Sequence, residues 1–494
     1  MDWQPKSLSA LGLTARNGRD VTITGIAVDS RDVRPGHLFA ALPGVNAHGA
    51  SFIATALKNG AAAVLTNMAG ANIAADDLAE TEAALVVVED PRQALAYAAA
   101  LWFGGQPDVM VAVTGTNGKT SVASFTRQIW EALGFDAVNV GTTGVEGAWE
   151  APLMHTTPEP VTLHRALAGA ASAGVTHGAM EASSHGLEQR RLDGVHLVAA
   201  GFTNLTQDHL DYHADFDAYF HAKAGLFDRV LTEDGIAVIN IDSDAGVDMA
   251  DVAMTSGKEL LAVGRAREAD LRILAQRFDA TGQELRFAYD GKIHQMTLPL
   301  MGGFQVENAM MAAGLAIASG CAAEAVFRAL PKLVPVRGRM QLAATRENGA
   351  AVFVDYAHTP DAVETALKAL RPHVMGRLVV VLGAGGDRDA TKRPLMGEAA
   401  AEHADLVFVT DDNPRSEDPA VIRTAVMLGA PDAIEVADRA EAILRAVDAL
   451  GPGDALLIAG KGHETGQIIG DAVLPFDDVE QASMAVSALD GGLA

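Results

Sequence analysis

Val109-Met110-Val111-Ala112-Val113 runs directly into Thr114-Gly115-Thr116-Asn117-Gly118-Lys119-Thr120, a junction that leaves few folds open. The apolar run is mostly β-branched and suits a parallel strand covered on both faces. The two glycines then let the backbone curl so that its N–H groups face an anion, with a helix expected to start at once. In such a loop Lys119 meets the β- and γ-phosphates of a nucleotide, and the Thr120 hydroxyl is a ligand of the magnesium that travels with it. ATP or GTP is expected here, with Gly115, Thr116, Asn117, Gly118 and Ser121 completing the cradle. The general phosphate-loop spacing asks for a glycine five residues before Gly118, where this chain has Val113. The shorter form Gly-Thr-Asn-Gly-Lys-Thr is therefore the informative detail. The plainer alternative, a glycine-rich turn with a solvated lysine, leaves the agreement of strand, glycines, Lys-Thr and helix unexplained.

A chain of 494 residues has room for about three domains. Apolar residues make up 49%, aromatics only 5%, and there are 49 glycines, which describes an α/β enzyme and argues against a sandwich or a coiled coil. A formal charge of −26 repels nucleic acid and anionic membrane surfaces, so an anionic substrate must be held by locally clustered Arg and Lys. The lone Cys321 makes neither an internal disulfide nor a Cys-based metal site and fits a reducing compartment. With no basic segment leading into an apolar one near Met1, and no run long enough to span a bilayer, a soluble cytoplasmic protein is expected, without membrane insertion.

Along the chain, strands are expected at 21–28 and 86–88, a helix at 52–58 leading into a strand that ends at Leu65, and a helix from the Asp90-Pro91 cap to Phe103. Asp29-Ser30-Arg31 and the turn-rich 42–49 loop could line a groove, although on local pattern alone ordinary turns are the favoured reading. Gly104-Gly105-Gln106-Pro107 reads as a linker. Beyond the phosphate loop, a helix at 121–133 and strand-like pieces at 138–140, 179–182 and 198–202 alternate as in a doubly wound parallel sheet. Asp290-Gly291 signals a hairpin, placing antiparallel strands in that sheet or in an annex. A second boundary is expected near 331–336, after a helix at 308–319. Strands at 352–355, 378–382, 406–410 and 456–459 follow, each with a charged or glycine-bearing loop at its carboxyl end. The fold class is α/β with a small N-terminal domain (1–107), a central mononucleotide-binding doubly wound domain (108–336) and a C-terminal Rossmann-like domain (337–494).

Glu181 and the Thr120 hydroxyl are hard ligands suited to magnesium, whereas the nearby histidines lack a zinc pattern. Lys223, on an expected helix at 216–226, reads by default as a solvated lysine.

Seven motifs in register, from Thr114–Thr120 through Glu181-Ala182-Ser183-Ser184-His185-Gly186, Asp208-His209-Leu210-Asp211-Tyr212-His213, Asp355-Tyr356-Ala357-His358-Thr359-Pro360, Gly385-Gly386-Asp387-Arg388 and Asp412-Asn413-Pro414-Arg415 to Gly460-Lys461-Gly462-His463-Glu464, resemble the Mur ligases. The resemblance covers essentially the whole chain. It implies a UDP-sugar in the first domain, ATP in the second, and a third domain closing over both with an incoming amino acid. The implied reaction makes an acyl phosphate from a D-glutamyl carboxylate and ATP, which an amine then converts to an amide, in cytoplasmic peptidoglycan precursor synthesis. A monomer working on small molecules is expected.

Residue by residue, the resemblance makes Lys119, Lys223, Glu181 and His209 catalytic. Lys223 corresponds to a lysine that becomes a carbamate and, with Thr120, Glu181 and His209, holds magnesium. Asn308 and His358 correspond to residues about the adenine, and Arg339 and Asp355 to third-domain contacts with the nucleotide. Ser30, Val45, Asn46, Ala47, Thr156, Thr157, Ser183, Gln189 and Arg191 correspond to contacts with the UDP-N-acetylmuramoyl dipeptide substrate, the 45–47 match being the weakest. Asp412-Asn413-Pro414-Arg415 resembles the selector of the meso-diaminopimelate-adding branch, with Arg388, Gly460 and Glu464 completing the amino-acid site. The chemistry agrees: Arg415 and Arg388 could grip a distal carboxylate through paired hydrogen bonds, while Glu464 receives the distal ammonium. Lysine-adding or folylpolyglutamate-type relatives, and a phosphate-loop NTPase switch, are the competing readings.

Overall fold

Three large β-sheets, each with its own apolar cores, follow one another along the chain in the computed structural model, which describes residues 3–44, 47–206, 212–278 and 282–491. The first is a four-stranded parallel sheet of Gly25–Ala27, His37–Ala40, Ala63–Thr66 and Ala84–Val87, in that order. The single strand expected at 21–28 is in fact two. Thr22–Ile23 pairs antiparallel with Lys6–Ser7, and Gly25–Ala27 pairs parallel with His37–Ala40. Between them Thr24 turns its N–H to Gly36 O and its hydroxyl to Pro35 O, both at 2.9 Å, which diverts the chain from one sheet to the other.

Asp90 caps the helix Pro91–Phe103 by accepting from the Arg92 and Gln93 amides, with Pro91 pre-set for the first turn and Gly104 ending it in the left-handed region. This helix packs on Pro160–Ser172 of the next body, whose Val161 and Ala168 join the first core. His164 is buried at this junction. Its Nε2 has no hydrogen-bond partner among the described residues, and Gly194 lies between that ring and the Ala96 carbonyl. Burial lowers the His164 pKa to about 4. The unfolded chain then binds the extra proton between about pH 6.5 and pH 4, so His164 costs nothing above that window and destabilises progressively as pH falls through it. The expected loss is about 2 kcal/mol from pH 7 to pH 5, read as a shift in urea midpoint, and His164→Leu should flatten that slope.

The central sheet has ten strands. Seven are parallel, in the order Leu271–Phe278, Glu259–Gly264, Leu231–Asn240, Leu197–Phe202, Val109–Thr114, His177–Glu181 and Ala137–Gly141. Antiparallel strands complete both edges, and the Asp290-Gly291 hairpin lies within this same sheet. Asp290 and Gly291 both have positive φ, at 47° and 71°, as a two-residue turn matched to strand twist requires. Val109–Thr114 is thus central and flanked by parallel neighbours, and its carboxyl end opens where ligands bind in open α/β sheets. The third sheet is parallel through Ala351–Asp355, Ala455–Ala459, Leu378–Leu382, Leu406–Val409 and Ile434–Glu435, with Gln341–Thr345 antiparallel at one edge. No helix among the described residues is long and apolar enough to cross a membrane.

Candidate active site

The loop after Val109–Thr114 curls because Gly115 and Gly118 take φ values of 143° and 89°. Neither position has room for a side chain: a Cβ would stand 1.9 Å from Thr203 Oγ1 at Gly115 and 2.5 Å from Asn308 Oδ1 at Gly118. The curl is held from the next strand end, where Asn204 accepts from the Thr116 and Asn117 amides at 2.9 Å, through its backbone and side-chain oxygens respectively. Helix Lys119–Ala132 begins at once, so its unpaired N–H groups and positive dipole end face the loop.

Two lysines converge on one carbonyl. Lys119 Nζ donates to Gly115 O at 2.9 Å and Thr116 O at 2.7 Å, and Lys223 Nζ reaches the same Gly115 oxygen at 2.8 Å. Lys223 is only 1% exposed, with its ammonium 4.3 Å from the centre of the Tyr219 ring. The solvated lysine expected from composition is therefore corrected: the helix Phe216–Gly225 presses Lys223 under the phosphate loop.

Thr120 Oγ1 donates to Glu181 Oε2 at 3.0 Å, and Glu181 Oε1 accepts the Thr142 amide at 2.9 Å. From the third body Arg339 Nη2 donates to Thr120 Oγ1 at 3.2 Å, its guanidinium lying 4.4 Å over the Tyr356 ring. Together with Asn117, Ser121, Asn308, Asp355 and His358, these residues line a cavity of about 440 Å³. Asp355 is also a brace, accepting the Met340 and Ala357 amides at 2.6 and 2.9 Å. Burial pushes its pKa up, against the pull of Arg339 and those amides. The Thr120 hydroxyl and Glu181 carboxylate are adjacent hard oxygens, which fits magnesium. Among the described residues there is no group of three or more acidic, His or Cys side chains that could hold a metal ion. His209 lies outside the described residues, as do Val45 and Asn46.

A second cavity, of about 700 Å³, adjoins the first through the shared Tyr356, His358 and Asp361. Arg388, Asp412, Asn413, Arg415, Gly460 and Glu464 line it, whereas Pro414 shapes the turn, its carbonyl accepting the Glu417 amide at 3.1 Å. The guanidiniums expected to grip a carboxylate have protein partners: Arg415 Nη1 donates to Gly386 O at 2.7 Å and Arg388 Nη1 to Asp387 O at 3.1 Å. Arg415 has φ of 52°, a region disfavoured for a side chain. Its backbone is clamped there by Ile468 O and the Gly470 amide, at 3.0 and 2.7 Å.

Thr156, Thr157, Ser183, Gln189 and Arg191 gather at the end of His177–Glu181. Thr156 bonds Thr142; Thr157 Oγ1 donates to Glu181 O and accepts the Ser183 amide; Arg191 holds Thr157 O at 2.6 Å and Gln189 at 2.8 Å. Burial lowers the Arg191 pKa, and the charge of Arg92 on the first body lowers it further. Ser30 and Ala47 stand on the first body and line neither cavity. Ser30 is buried, its carbonyl accepting from Asn59 at 2.9 Å.

Comparison with known proteins agrees with this arrangement. The Mur ligase family catalytic domain model matches residues 22–102, the Mur ligase middle domain 113–316, and the Mur ligase glutamate ligase domain 338–462. UDP-N-acetylmuramoyl-L-alanyl-D-glutamate--2,6-diaminopimelate ligase of Brucella melitensis is 51% identical over 474 residues, 95% of either chain. The chain belongs to the Mur ligase family. The same-named protein of Agrobacterium fabrum is 49% identical over 95% of this Mur ligase and 94% of its own length. A solved structure of that ligase superposes with a TM-score of 0.69 at 34% identity, covering 98% of this chain and 99% of the other.

Several residues of this Mur ligase's site escaped sequence reasoning. Tyr356 carries Arg339, and burial, reinforced by the Glu464 charge, lifts its phenol to about 12. Asp361 Oδ2 accepts from Asn117 Nδ2 and Thr206 Oγ1, both at 3.0 Å, joining the phosphate loop to the third body. Lys461 sits inside a recognised motif yet is fully buried behind the second cavity. Nothing in its sequence neighbourhood signals that burial, because its partner Asn413 lies 48 residues away.

Proposed function

We propose that this Mur ligase uses ATP to join meso-diaminopimelate to UDP-N-acetylmuramoyl-L-alanyl-D-glutamate, giving ADP, phosphate and the tripeptide. The adjacency of the two cavities carries the reading: one is lined by the phosphate loop and the other by the selector motif, with Tyr356, His358 and Asp361 between them. The names of relatives near 50% identity support the diaminopimelate branch over lysine-adding or folate-adding ones, and the selector motif is intact.

In this reading the nucleotide lies along the 440 Å³ cavity, phosphates on the Gly115–Ser121 loop and adenine toward Asn308 and His358. Lys119 draws charge from the γ-phosphoryl group, and Arg339 enters from the third body beside Thr120. The substrate's D-glutamyl carboxylate attacks the γ-phosphorus in line and ADP leaves, giving an acyl phosphate. The neutral amine of diaminopimelate then attacks the carbonyl carbon, loses a proton, and phosphate departs. Magnesium, held by Thr120 and Glu181 and by Lys223 if carbamylated, would neutralise phosphate charge. The Thr156, Thr157, Ser183, Gln189 and Arg191 group, with Arg92 opposite, is the anion-binding wall for the nucleotide-sugar peptide, extended on the first body by Ser30 and Ala47.

Phosphate release with magnesium-ATP and the nucleotide-sugar dipeptide, compared with meso-diaminopimelate, L-lysine and no amino acid, tests this directly. Release that needs both substrates and yields the diaminopimelate tripeptide by mass is expected. Release indifferent to both would favour a nucleotide switch instead. Arg415→Ala should raise the KM for diaminopimelate by about 10- to 100-fold with the KM for ATP nearly unchanged. An unaltered preference over lysine would remove Arg415 from the selector.

A further inference from the structure

Lys461 is fully buried and is not among the residues lining the 700 Å³ cavity, yet it touches two that are. Its ammonium donates to Asn413 Oδ1 at 3.1 Å, Glu464 Oε2 at 3.1 Å and Gly466 O at 2.6 Å, which accounts for all three of its N–H groups. Asn413 Oδ1 also accepts the Ile468 amide at 2.9 Å. Both neighbours of that oxygen are obligate donors, so the amide has one orientation: Oδ1 inward and Nδ2 toward Glu464 Oε2, 2.8 Å away. Glu464 Oε2 thereby takes two donors, and Oε1 is the oxygen left for a ligand.

We propose that Lys461 is a specificity-determining positioning residue. From behind the cavity it fixes the polarity of two recognition groups, so that Asn413 offers a remaining N–H and Glu464 offers one carboxylate oxygen. A donor beside an acceptor matches a zwitterionic carbon bearing a carboxylate and an ammonium. It disfavours a plain alkyl-ammonium end, which would leave the Asn413 N–H without a partner. The inference rests on the reading of this cavity as the amino-acid site. Without the Lys461 charge the Asn413 oxygen keeps only the Ile468 amide, and Glu464 Oε2 keeps only the Asn413 N–H, so the pair loses the cation that holds both groups in register.

Lys461→Met keeps the length of the side chain and removes the charge. The expected result is a rise in the KM for meso-diaminopimelate of about 10- to 100-fold, with the KM for ATP within about twofold. The preference for diaminopimelate over L-lysine should fall by a similar factor. An unchanged diaminopimelate KM and preference, or equal rises in both KM values as a general loosening would give, overturns the inference. Should Lys461→Met not fold, Lys461→Met/Glu464→Gln removes the buried ammonium together with its half-buried carboxylate partner. Compared with Glu464→Gln alone, a further loss of preference in the double variant supports the positioning role, and a preference equal to that of Glu464→Gln overturns it. Arg415→Ala, measured in parallel, separates the two levels. A diaminopimelate effect in Arg415→Ala but not in the Lys461 variants rejects this inference alone, whereas no diaminopimelate effect in any of these variants rejects the amino-acid site itself.

Discussion

Lys119→Met is expected to lower both amide formation and substrate-dependent phosphate release by at least about 10²- to 10³-fold, with the unfolding midpoint nearly unchanged. The ammonium is held over the loop by Gly115 O and Thr116 O at 2.9 and 2.7 Å, which in the proposed reading pre-positions it where charge develops on the γ-phosphoryl group. Losing those two bonds in a half-buried loop costs about 1 kcal/mol of stability, whereas the missing transition-state charge enters the rate directly. Lys119→Arg should rescue little, because a planar fork does not reproduce a point charge donating to two carbonyls of its own loop. Single-turnover phosphate release beside a nucleotide-binding titration decides it: weakened binding with an intact catalytic step would make Lys119 a ground-state contact only.

The legible parts of this molecule are those whose determinants are contiguous in the chain. Strand, glycines, lysine and threonine lie together from Val109 to Thr120, and the apolar runs of the third sheet were recognisable as strands, with Leu378–Leu382 bounded as expected. What was not legible depends on distant partners. Asn117 meets Asp361 across 244 residues and Lys461 meets Asn413 across 48, separations over which no local pattern reports a contact. Residue type alone makes Lys223 a solvated helix lysine, and only the tertiary fold reveals Gly115 O and the Tyr219 ring as its surroundings. The strand Leu231–Asn240 went unassigned for the opposite reason. Glu233-Asp234-Gly235 interrupts it locally, while its buried second half pairs with strands on both sides.

The same dependence on distance sets the largest stability effect. Arg439 is buried at the start of Arg439–Asp448, and Asp478 is buried at the start of the C-terminal helix Asp478–Asp490. Nε and Nη2 of Arg439 grip the two Asp478 oxygens at 2.8 and 2.7 Å, and Nη2 also donates to Ala459 O at 2.9 Å. Burial opposes the guanidinium's charge, but Asp478 and then Asp412 outweigh it and the pKa is raised. Asp478→Ala leaves a buried cation without its carboxylate, and Arg439→Met leaves a buried carboxylate without its cation. Each is expected to cost about 3–5 kcal/mol, read from denaturant midpoints. Because the pair also bears the desolvation cost of both ions, Arg439→Met/Asp478→Leu should recover most of that loss. If the double variant is as unstable as either single one, packing rather than uncompensated charge is responsible. Arg439 Nη1 has no hydrogen bond among the described residues and stands 3.9 Å from Asp412 Oδ2, while Ala459 leads directly into Gly460. The guanidinium therefore ties the C-terminal helix to two walls of the second cavity, the proposed amino-acid site. A double variant restored in stability should still show a raised KM for diaminopimelate, since the charge facing Asp412 does not return with the fold.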